Sequence, residues 1–393
     1  MNILYVLHDT TMHGGATKSF LNLLLWLIKK DVCPIVLLPN ADGLFHVLKD
    51  MSIPVYAMGF RWNTYPKVNS SMDVLLYIPR LIQRRIRNYY TVQRLSHLLK
   101  DKHIDIIHSN VSIVDVGFRI AQKLNIPHIY HIREYADKDF GLHYVPTRKS
   151  FLKSLNKTRS YSICITKDIQ QYFHLSDNTK SKVIYNGIQE EIRFMPHLEK
   201  KRYFLYAGRI DYTKGIDVLL IAYNDYVHNT KTEIIPLYIA GNASNSSFYN
   251  QILSFIKEHN LSDKVSFLGQ RDNVDILMQQ AQAIIVPSRS EGFGRCLAEA
   301  MFNGCLSICY NAAGLKEQLE NGIELTKEKI GLSYDTPQQL TCLLEETAKA
   351  PADKYQHMKE MAFFTVSQLY TREKNAESIY EFYFYILNDT DNH

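Results

Sequence analysis

The sequence predicts an α/β protein made of two similar domains, each with a doubly wound parallel sheet. Short apolar segments alternate with amphipathic segments of helical periodicity along most of the 393 residues, as expected for successive βαβ units. The alternation restarts after a charged stretch at 189–202. A chain of this length is also accommodated better by two hydrophobic cores than by one.

The predicted elements follow the chain in order. The first strand, NILYVLH, precedes a helix that two glycines open, GGATKSFLNLLLWLIKK. Further strands of the first domain are PIVLLP, IPVYAM, IDIIHSN and PHIYHI. After a linker near residues 187–200, the second domain is predicted to contain YFLYAGR, IPLYIAG, VSFLG, AIIVPS and LSICY. The final segment, TREKNAESIYEFYFYIL, has one apolar face and is predicted to be a docked helix.

Composition limits the classes of function. Lys and Arg (45) nearly balance Asp and Glu (40), so the net charge of +5 gives no nucleic-acid signature and permits an anionic ligand or membrane surface. The six cysteines form no CxxC pair, which favours free thiols in a reducing compartment. The first residues are interpreted as a strand and not as a signal peptide, and the apolar runs are shorter than the ~20 residues of a membrane span. A cytoplasmic protein, or one held at a membrane from outside, is therefore expected.

Ligands of open parallel sheets bind beyond the carboxyl ends of the strands. Two such sheets facing one another would leave a cleft between the domains. The predicted strand ends nominate these cleft residues: His8, Gly14, Gly15, Ser109, Asn110, His131, Arg133 and Glu134 from the first domain, and Gly208, Arg209, Lys214, Gly241, Gly269, Ser288, Glu291 and Glu299 from the second.

Two cations follow the first strand of the second domain, in YAGRIDYTKGID. Arg209 comes directly after the strand, and Lys214 precedes the next helix. A guanidinium fork and an ammonium point charge at one strand end can hold a diphosphate without a metal. A surface ion pair is the alternative for this spacing.

The stretch SRSEGFGRCLAEAMFNG places two glutamates around a glycine turn. Gly292 and Gly294 allow close backbone approach to a ligand, and the following helix directs N–H groups toward it. Glu291 and Glu299 are about 10 Å apart if the intervening residues are helical. This separation suits two hydroxyl-binding carboxylates with a diphosphate between them. Acids that merely stabilise a helix start are the alternative.

The chain resembles the retaining glycosyltransferases of family 4, "glycosyl transferases group 1", which have the GT-B fold of two facing Rossmann-like domains. The resemblance runs the length of the chain through GGA (14–16), HIRE (131–134), YNGI (185–188), AGRID…KGID (207–217), LYIAG (237–241), VSFLG (265–269) and VPSRSEGFGRCLAEAM (286–301). The last segment contains the family's E-x7-E signature. The resemblance implies an acceptor-binding domain at 1–187, a nucleotide-sugar-binding domain at 188–365, and a terminal helix at 366–393 that crosses back to the first domain.

The resemblance also implies roles for individual residues. Glu299 should hold the donor ribose, and Glu291 should contact sugar hydroxyls near the reacting carbon. Arg209 and Lys214 should neutralise the departing diphosphate, and His131 should lie beside the donor sugar; a purely structural histidine is the alternative at this last position. Backbone at these positions should line the donor pocket: Gly14, Gly15, Gly208, Gly292, Phe293, Gly294, Arg295, Cys296 and Leu297.

Family members retain the anomeric configuration and need no metal, so the resemblance implies no metal site and no cofactor. The Asp-x-Asp triplets at 137–139 and 389–391 are accordingly interpreted as chance matches, with a contribution to acceptor binding as the alternative for the first. The co-substrate is expected to be a nucleotide-diphosphate sugar, with a UDP-sugar favoured over a GDP-sugar.

The acceptor side is the least typical part of the sequence. The segment at 79–103 carries seven basic residues against one acid, with tyrosines and leucines interleaved. Such a basic amphipathic helix can lie on anionic lipid, and an ordinary solvated helix face is the alternative. Candidate acceptor or membrane residues are Arg84, Arg85, Arg87, Arg133 and Glu134, of which the last two can instead pair with each other.

These observations predict a metal-independent hexosyltransferase that transfers a sugar to a glycan or polyprenyl-linked acceptor in bacterial surface polysaccharide synthesis. The expected location is cytoplasmic, with peripheral contact to the inner face of the membrane as one option. Two other interpretations remain: a nucleotide-sugar 2-epimerase on the same fold, and a non-catalytic nucleotide-sugar-binding scaffold subunit.

Overall fold

The computed structural model describes residues 1–12, 15–66, 71–188, 201–231, 233–351 and 353–391. The chain divides into two compact units: unit 1 comprises 1–187 with 372–393, and unit 2 comprises 188–371. Gly14, a predicted donor-binding residue, and residues 189–200 of the predicted linker lie outside the described residues.

Unit 1 is built on a parallel sheet. Its strands are β1 (Asn2–Val6), β2 (Cys33–Leu38), β3 (Val55–Ala57), β4 (Thr64–Pro66), β5 (Ile106–Ser109), β6 (His128–Ile132), β7 (Leu142–Tyr144), β8 (Ser160–Cys164) and β9 (Ser181–Val183). Within the described residues, seven strands pair in the order β3-β2-β1-β5-β6-β8-β9. β4 and β7 form a separate antiparallel pair, which the βα alternation does not predict.

The helices of unit 1 flank this sheet. They are α1 (Gly15–Leu27), α2 (Leu44–Asp50), α3 (Ser71–Leu99), α4 (Val116–Leu124), α5 (Asp137–Phe140), α6 (Arg148–Leu155) and α7 (Lys167–Tyr172). α1 is followed by a short 3-10 turn, Ile28–Lys30. The apolar residues of α1, Phe20, Leu23, Leu24 and Leu27, recur at helical spacing and are buried in the unit 1 core, as expected for an amphipathic helix.

Unit 2 contains a second parallel sheet. Its strands are β10 (Phe204–Ala207), β11 (Leu237–Ala240), β12 (Val265–Gly269), β13 (Ala283–Val286), β14 (Ser307–Tyr310) and β15 (Leu332–Tyr334). Within the described residues they pair in the order β12-β11-β10-β13-β14-β15, which is the Rossmann order. The direction of winding therefore reverses between β10 and β13, and this reversal positions the candidate site.

The helices of unit 2 connect these strands. They are α8 (Ile216–Asn229), α9 (Ser246–Glu258), α10 (Val274–Gln280), α11 (Arg295–Phe302), α12 (Ala313–Thr326), α13 (Pro337–Lys349) and α14 (Gln356–Leu369). A 3-10 turn, Tyr212–Lys214, precedes α8.

The last described helix, α15 (Arg372–Asp391), belongs to unit 1 although it follows all of unit 2 in sequence. Its residues Ala376, Ile379, Phe382, Tyr383 and Ile386 are part of the unit 1 core. Residues 366–371, which the sequence analysis assigned to the terminal segment, belong to unit 2.

Candidate active site

The candidate site lies at the carboxyl edge of the unit 2 sheet, where the strand order reverses. β10 and β13 are hydrogen-bonded neighbours in register at Phe204 and Ala283. Arg209 follows β10, and Glu291 follows β13. A crevice at this kind of switch point is where doubly wound sheets bind nucleotides.

Lys214 reaches this edge from the 3-10 turn. Asp211 caps the turn by accepting a hydrogen bond from Thr213 N at 2.9 Å. The next residue, Gly215, has φ +68°, and a Cβ there would lie 1.9 Å from the carbonyl oxygen of Pro287. Only glycine allows the turn to pack this closely on the end of β13.

The structure brings Lys214 and Glu291 together. Their side chains form an ion pair and are both largely covered, and Ser288 Oγ donates a second hydrogen bond to the same Glu291 oxygen at 3.0 Å. Lys214 and Glu291, which were predicted to contact different parts of one substrate, are therefore ion-paired with each other.

Arg209 differs from Lys214. Its side chain is exposed and makes no hydrogen bond or ion pair with any of the described residues. A guanidinium without a protein partner at the switch point is available to bind an anion with two parallel N–H groups.

The loop from Glu291 to Gly294 leads into α11. Gly294 has φ +87°, and a Cβ there would lie 2.4 Å from Leu315 Cδ2, so the position requires glycine. Phe293 is buried with its ring edge-to-face on Tyr370. This loop is consequently fixed by packing from behind.

Residues of α12 hold the same loop and were missed by the sequence analysis. The Gln318 side chain donates to the carbonyl oxygens of Phe293 and Gly294. Gly314 N donates to Glu291 O at 3.1 Å. The sequence shows only that Gln318 lies among apolar residues of a helix. That pattern does not predict which backbone carbonyls the side chain binds.

A second missed contact supports the Lys214 turn. Arg289 forms a two-bond fork with Asp217, at 2.7 Å for each bond, and stacks on the Tyr212 ring. It also donates to Tyr212 O at 2.6 Å. This bidentate pair connects the loop after β13 to the turn after β10.

The remaining predicted donor-binding residues lie on α11. Arg295 and Glu299 form an ion pair one helical turn apart, at 3.3 Å. Cys296 donates its thiol to Ala207 O at 3.1 Å, and burial raises its thiol pKa well above the usual range. Leu297 is completely buried. Cys296 and Leu297 therefore direct their side chains into the protein, and only their backbone remains for the predicted ligand contact.

The predicted residues of unit 1 lie near the carboxyl ends of its own strands. Gly15 is the first residue of α1 and is exposed. His131, on β6, is completely buried and stacks on His108 of β5. Burial and the nearby Arg133 charge hold the pKa of both imidazoles well below the ordinary value, so both are neutral near pH 7.

Arg133 and Glu134 point to different partners. Arg133 donates to Asn186 Oδ1 at 2.6 Å and to Asn110 O at 3.0 Å. Glu134 accepts from the N–H and hydroxyl of Ser112 at 2.8 and 2.7 Å. Burial raises the pKa of the Glu134 carboxyl to about 7. Its assignment as an acceptor or membrane residue stays a prediction.

The three basic candidates on α3 also differ. Arg84 donates to Thr64 O at 2.8 Å and stacks over the Tyr65 ring, so it holds the β4 segment. Arg87 lies against Gly59. Arg85 lines a shallow surface pocket with Ile86, Tyr89, Tyr90 and Arg119.

None of the helices in the described residues combines the length and apolar character needed to cross a bilayer. No group of three or more His, Cys, Asp or Glu side chains in that part of the chain is arranged as a metal site.

Two family descriptions match consecutive parts of the sequence. Glycosyltransferase Family 4 matches residues 13–192, and Glycosyl transferases group 1 matches residues 188–362. The chain belongs to the family 4, group 1 glycosyltransferases. The group 1 match contains Arg209, Lys214, Glu291 and Glu299.

This glycosyltransferase is similar to an uncharacterized glycosyltransferase of Methanocaldococcus jannaschii, with 27% identity over 75% of the chain and 83% of the relative. It is 31% identical, over 36% of the chain and 38% of the relative, to an N-acetylgalactosamine-N,N'-diacetylbacillosaminyl-diphospho-undecaprenol 4-alpha-N-acetylgalactosaminyltransferase of Campylobacter jejuni. The crystal structure of Anabaena HepE in complex with UDP-glucose matches with a TM-score of 0.72 and 19% identity, over 97% of the chain and 98% of HepE. The predicted GT-B fold is confirmed.

Proposed function

We propose that this glycosyltransferase is a retaining, metal-independent hexosyltransferase. It transfers a hexose-type sugar from a nucleotide-diphosphate sugar, preferably a UDP-sugar, to a glycan or polyprenyl-linked acceptor in bacterial surface polysaccharide synthesis. The observation that carries the proposal is the exposed Arg209 guanidinium beside the Lys214–Glu291 pair at the switch point of the unit 2 sheet.

The chemistry follows from charge. When the bond between the anomeric carbon and the diphosphate oxygen breaks, the electron pair stays on the diphosphate, and the sugar becomes oxocarbenium-like. The acceptor hydroxyl oxygen bonds to the anomeric carbon, and its proton passes to the departing diphosphate oxygen. Arg209, Lys214 and the start of α11 are cationic or N–H groups that stabilise the departing anion. Glu291 is then positioned for the sugar hydroxyls, and Glu299 for the ribose.

Relatives support the choice of substrates. HepE was crystallised with UDP-glucose, which favours a UDP-sugar donor. The Campylobacter relative is named for an undecaprenol diphosphate-linked acceptor, which favours a polyprenyl-linked acceptor. Retention of configuration and independence of metal rest on the family resemblance.

The proposal is tested by thermal unfolding with UDP, GDP, ADP or dTDP, each with and without its sugars, in the presence of EDTA. A ligand at 100 times its dissociation constant adds about 2.7 kcal/mol to the free energy of unfolding. We expect UDP and one UDP-sugar to raise the melting temperature, and acceptor-dependent release of UDP to follow.

A matched pair of variants locates the ligand. Arg209→Ala removes the unpaired cation after β10, whereas Arg202→Ala removes an exposed arginine before β10 that pairs with Glu233. Only the first is expected to abolish the shift. Stabilisation without UDP release would favour the scaffold interpretation, and stabilisation by no nucleotide would contradict the proposal.

We further propose that α3 contacts an anionic membrane surface. Leu75, Ile78, Ile82, Ile86 and Tyr89 recur at spacings of three or four residues and are each at least half exposed. Exposed apolar stripes of this length are unusual on a protein surface that faces only water. Arg80, Arg85 and Arg87 lie on the same helix, and this combination fits anionic lipid.

Sedimentation with vesicles tests the membrane contact. We expect binding to phosphatidylcholine vesicles that contain phosphatidylglycerol and weaker binding to phosphatidylcholine alone, since each basic residue near the surface contributes about 1 kcal/mol. Ile82→Ser with Ile86→Ser should reduce the bound fraction. Ile276→Ser, an exposed isoleucine of unit 2, is the control. Equal binding of the α3 variant would refute the contact.

A further inference from the structure

A buried hydrogen-bonded chain runs from the core of unit 1 to His131. Tyr5 of β1, Tyr383 of α15, His108 of β5 and His131 of β6 are its members, and each is at most 1% exposed. Tyr5 Oη lies 3.1 Å from Tyr383 Oη, which lies 2.7 Å from His108 Nδ1. His108 Nε2 lies 3.1 Å from His131 Nδ1.

Arg133 sets the direction of this chain. Its Nη2 lies 3.3 Å from His131 Nδ1, and a guanidinium can only donate hydrogen bonds. Nδ1 of His131 is therefore the acceptor atom. Because the imidazole is neutral, its single proton must be on Nε2.

The remaining polarities follow in order. Since His131 Nδ1 accepts, His108 Nε2 must donate to it. His108 is also neutral, so its Nδ1 has no proton and accepts from the Tyr383 hydroxyl. Tyr383 has then used its proton, and Tyr5 donates to the Tyr383 oxygen. Only one arrangement of protons satisfies the whole chain.

At its His131 end, this series of hydrogen bonds leaves one N–H donor, Nε2–H, without an acceptor among the described residues. His131 Nε2 is itself buried. Nearly all buried polar groups in proteins have a partner, and an exception calls for a bound group or a catalytic role. His131 lies one residue before the carboxyl end of β6, the edge at which parallel sheets bind ligands.

We propose that Tyr383 of α15 is a positioning residue. By donating to His108 Nδ1 it stabilises the proton arrangement that Arg133 selects, so that His131 is held as the Nε2–H tautomer and offers a hydrogen-bond donor to an oxygen of the substrate. In this tautomer His131 cannot remove a proton through Nδ1, which two donors already occupy. The substrate contact rests on the proposed function, whereas the fixed tautomer does not depend on it.

The tautomers are measured by NMR of the full chain labelled with 15N-histidine, because protonated and unprotonated ring nitrogens differ widely in 15N shift. His131→Gln and His108→Gln assign the two rings by difference. We expect both histidines to carry one proton, on Nε2, at neutral pH. A proton on Nδ1 of either ring, or on both nitrogens, would overturn the proposal.

Three tyrosine variants separate positioning from packing. Tyr383→Phe leaves His108 Nδ1 a buried acceptor without its partner, which destabilises the tautomer that Arg133 selects and should give a mixture of His108 tautomers. Tyr5→Phe makes the same change in the same core but leaves the Tyr383 donor in place, so both tautomers should persist. Tyr380→Phe is a control on α15, where the hydroxyl bonds to Lys30 O. Identical spectra for all three variants would refute the role of Tyr383.

Kinetics with the UDP-sugar then tests the substrate contact. Tyr383→Phe should lower kcat about tenfold, the usual effect of one misaligned hydrogen bond, with little change in the donor KM, and Tyr5→Phe should leave kcat unchanged. His131→Gln, whose amide can replace Nε2–H, should retain more activity than His131→Ala. Fixed tautomers in a protein without transferase activity would refute the proposed function and leave the positioning chain intact.

Discussion

At the scale of single residues, the Lys214–Glu291 pair is the main feature of the candidate site. The ammonium and the carboxylate neutralise each other. A bound diphosphate would compete with Glu291 for Lys214, and the hydrogen bond from Ser288 would still hold the Glu291 carboxylate. The same pair can thus serve both halves of the donor.

Lys214→Ala is predicted to slow transfer more than it weakens donor binding. Loss of one group that stabilises the departing charge typically lowers kcat by about 100-fold, and Arg209 still holds the diphosphate. The measurement is kcat and donor KM for UDP release. Lys264→Ala, at an exposed ion pair with Asp263, is the control. Unchanged kcat in Lys214→Ala would remove the lysine from the mechanism.

Glu299→Gln is predicted to act on binding instead. The carboxylate is proposed to accept hydrogen bonds from the ribose, and losing a charged hydrogen bond costs about 1.5–3 kcal/mol. Calorimetric titration with UDP should show about tenfold or greater weakening. Glu320→Gln, an exposed glutamate of α12, should bind UDP normally; equal affinities in the two variants would contradict the ribose contact.

The buried histidines predict acid sensitivity of unit 1. Burial lowers the pKa of His128 to about 3 and those of His108 and His131 well below 6.5. In the unfolded chain these histidines bind a proton near pH 6.5, whereas in the folded protein they stay neutral at that pH. Stability is therefore fully present above pH 6.5 and falls below it, approaching about 1.4 kcal/mol per pH unit for each histidine.

Protonation of Glu134 has the opposite effect on stability and favours the folded state as the pH falls. Its pKa of about 7 in the folded state, raised from 4.5, means that folding binds a proton between these values and gains stability as the pH falls. Melting temperatures from pH 7.5 to 5 should therefore decrease, and more steeply in Glu134→Gln. A flat profile would show that the histidines are not held neutral.

The sequence predicted some of these residues and not others for a physical reason. Arg209 and Glu291 each follow a strand within a few residues, so strand order places them at one sheet edge. His108 and Tyr383 are 275 residues apart, and no local periodicity connects them. The available signal was a histidine directly after the apolar pair Ile106–Ile107 in the predicted strand IDIIHSN.

At the scale of elements, α12 supports the loop from Glu291 to Gly294. In its first turn, Gly314 N donates a hydrogen bond to Glu291 O, and the Gln318 side chain donates to two further carbonyl oxygens of the loop. The E-x7-E signature is thus held by a helix outside the signature.

Gly314→Ala is predicted to displace this loop. An added Cβ would lie 2.8 Å from Gly292 O, Phe293 Cα and Phe293 O, and backbone atoms cannot move aside as a side chain can. UDP affinity should fall while the variant remains folded by circular dichroism. Lys316→Ala, exposed on the same helix, is the control, and normal UDP affinity in Gly314→Ala would show that the loop position is not needed.

Element prediction was limited where local pattern was weak. The long strands and helices of both sheets follow from period and apolar content. The pair β4–β7 joins two three-residue strands, which are too short to carry an alternation. The basic segment predicted as a helix at 79–103 overlaps α3, which begins earlier, at Ser71, ends at Leu99 and contains Pro79 in its interior.

At the scale of the whole molecule, unit 1 depends on a helix from beyond unit 2. Phe382→Ala is predicted to destabilise unit 1 by about 3–5 kcal/mol, as for other buried aromatic truncations. Phe384→Ala, on the exposed side of α15, should have little effect. Hydrogen exchange measured by mass spectrometry resolves the two units, and faster exchange confined to unit 2 would contradict this dependence.

The position of α15 also has a consequence during synthesis. Unit 2 is complete on the ribosome before α15 is made, although unit 1 begins the chain. At about 5–20 residues per second, residues 188–371 of unit 2 take about ten to forty seconds to translate. For at least that interval the apolar surface of unit 1 that α15 later covers is exposed on the nascent chain, where a chaperone can bind it.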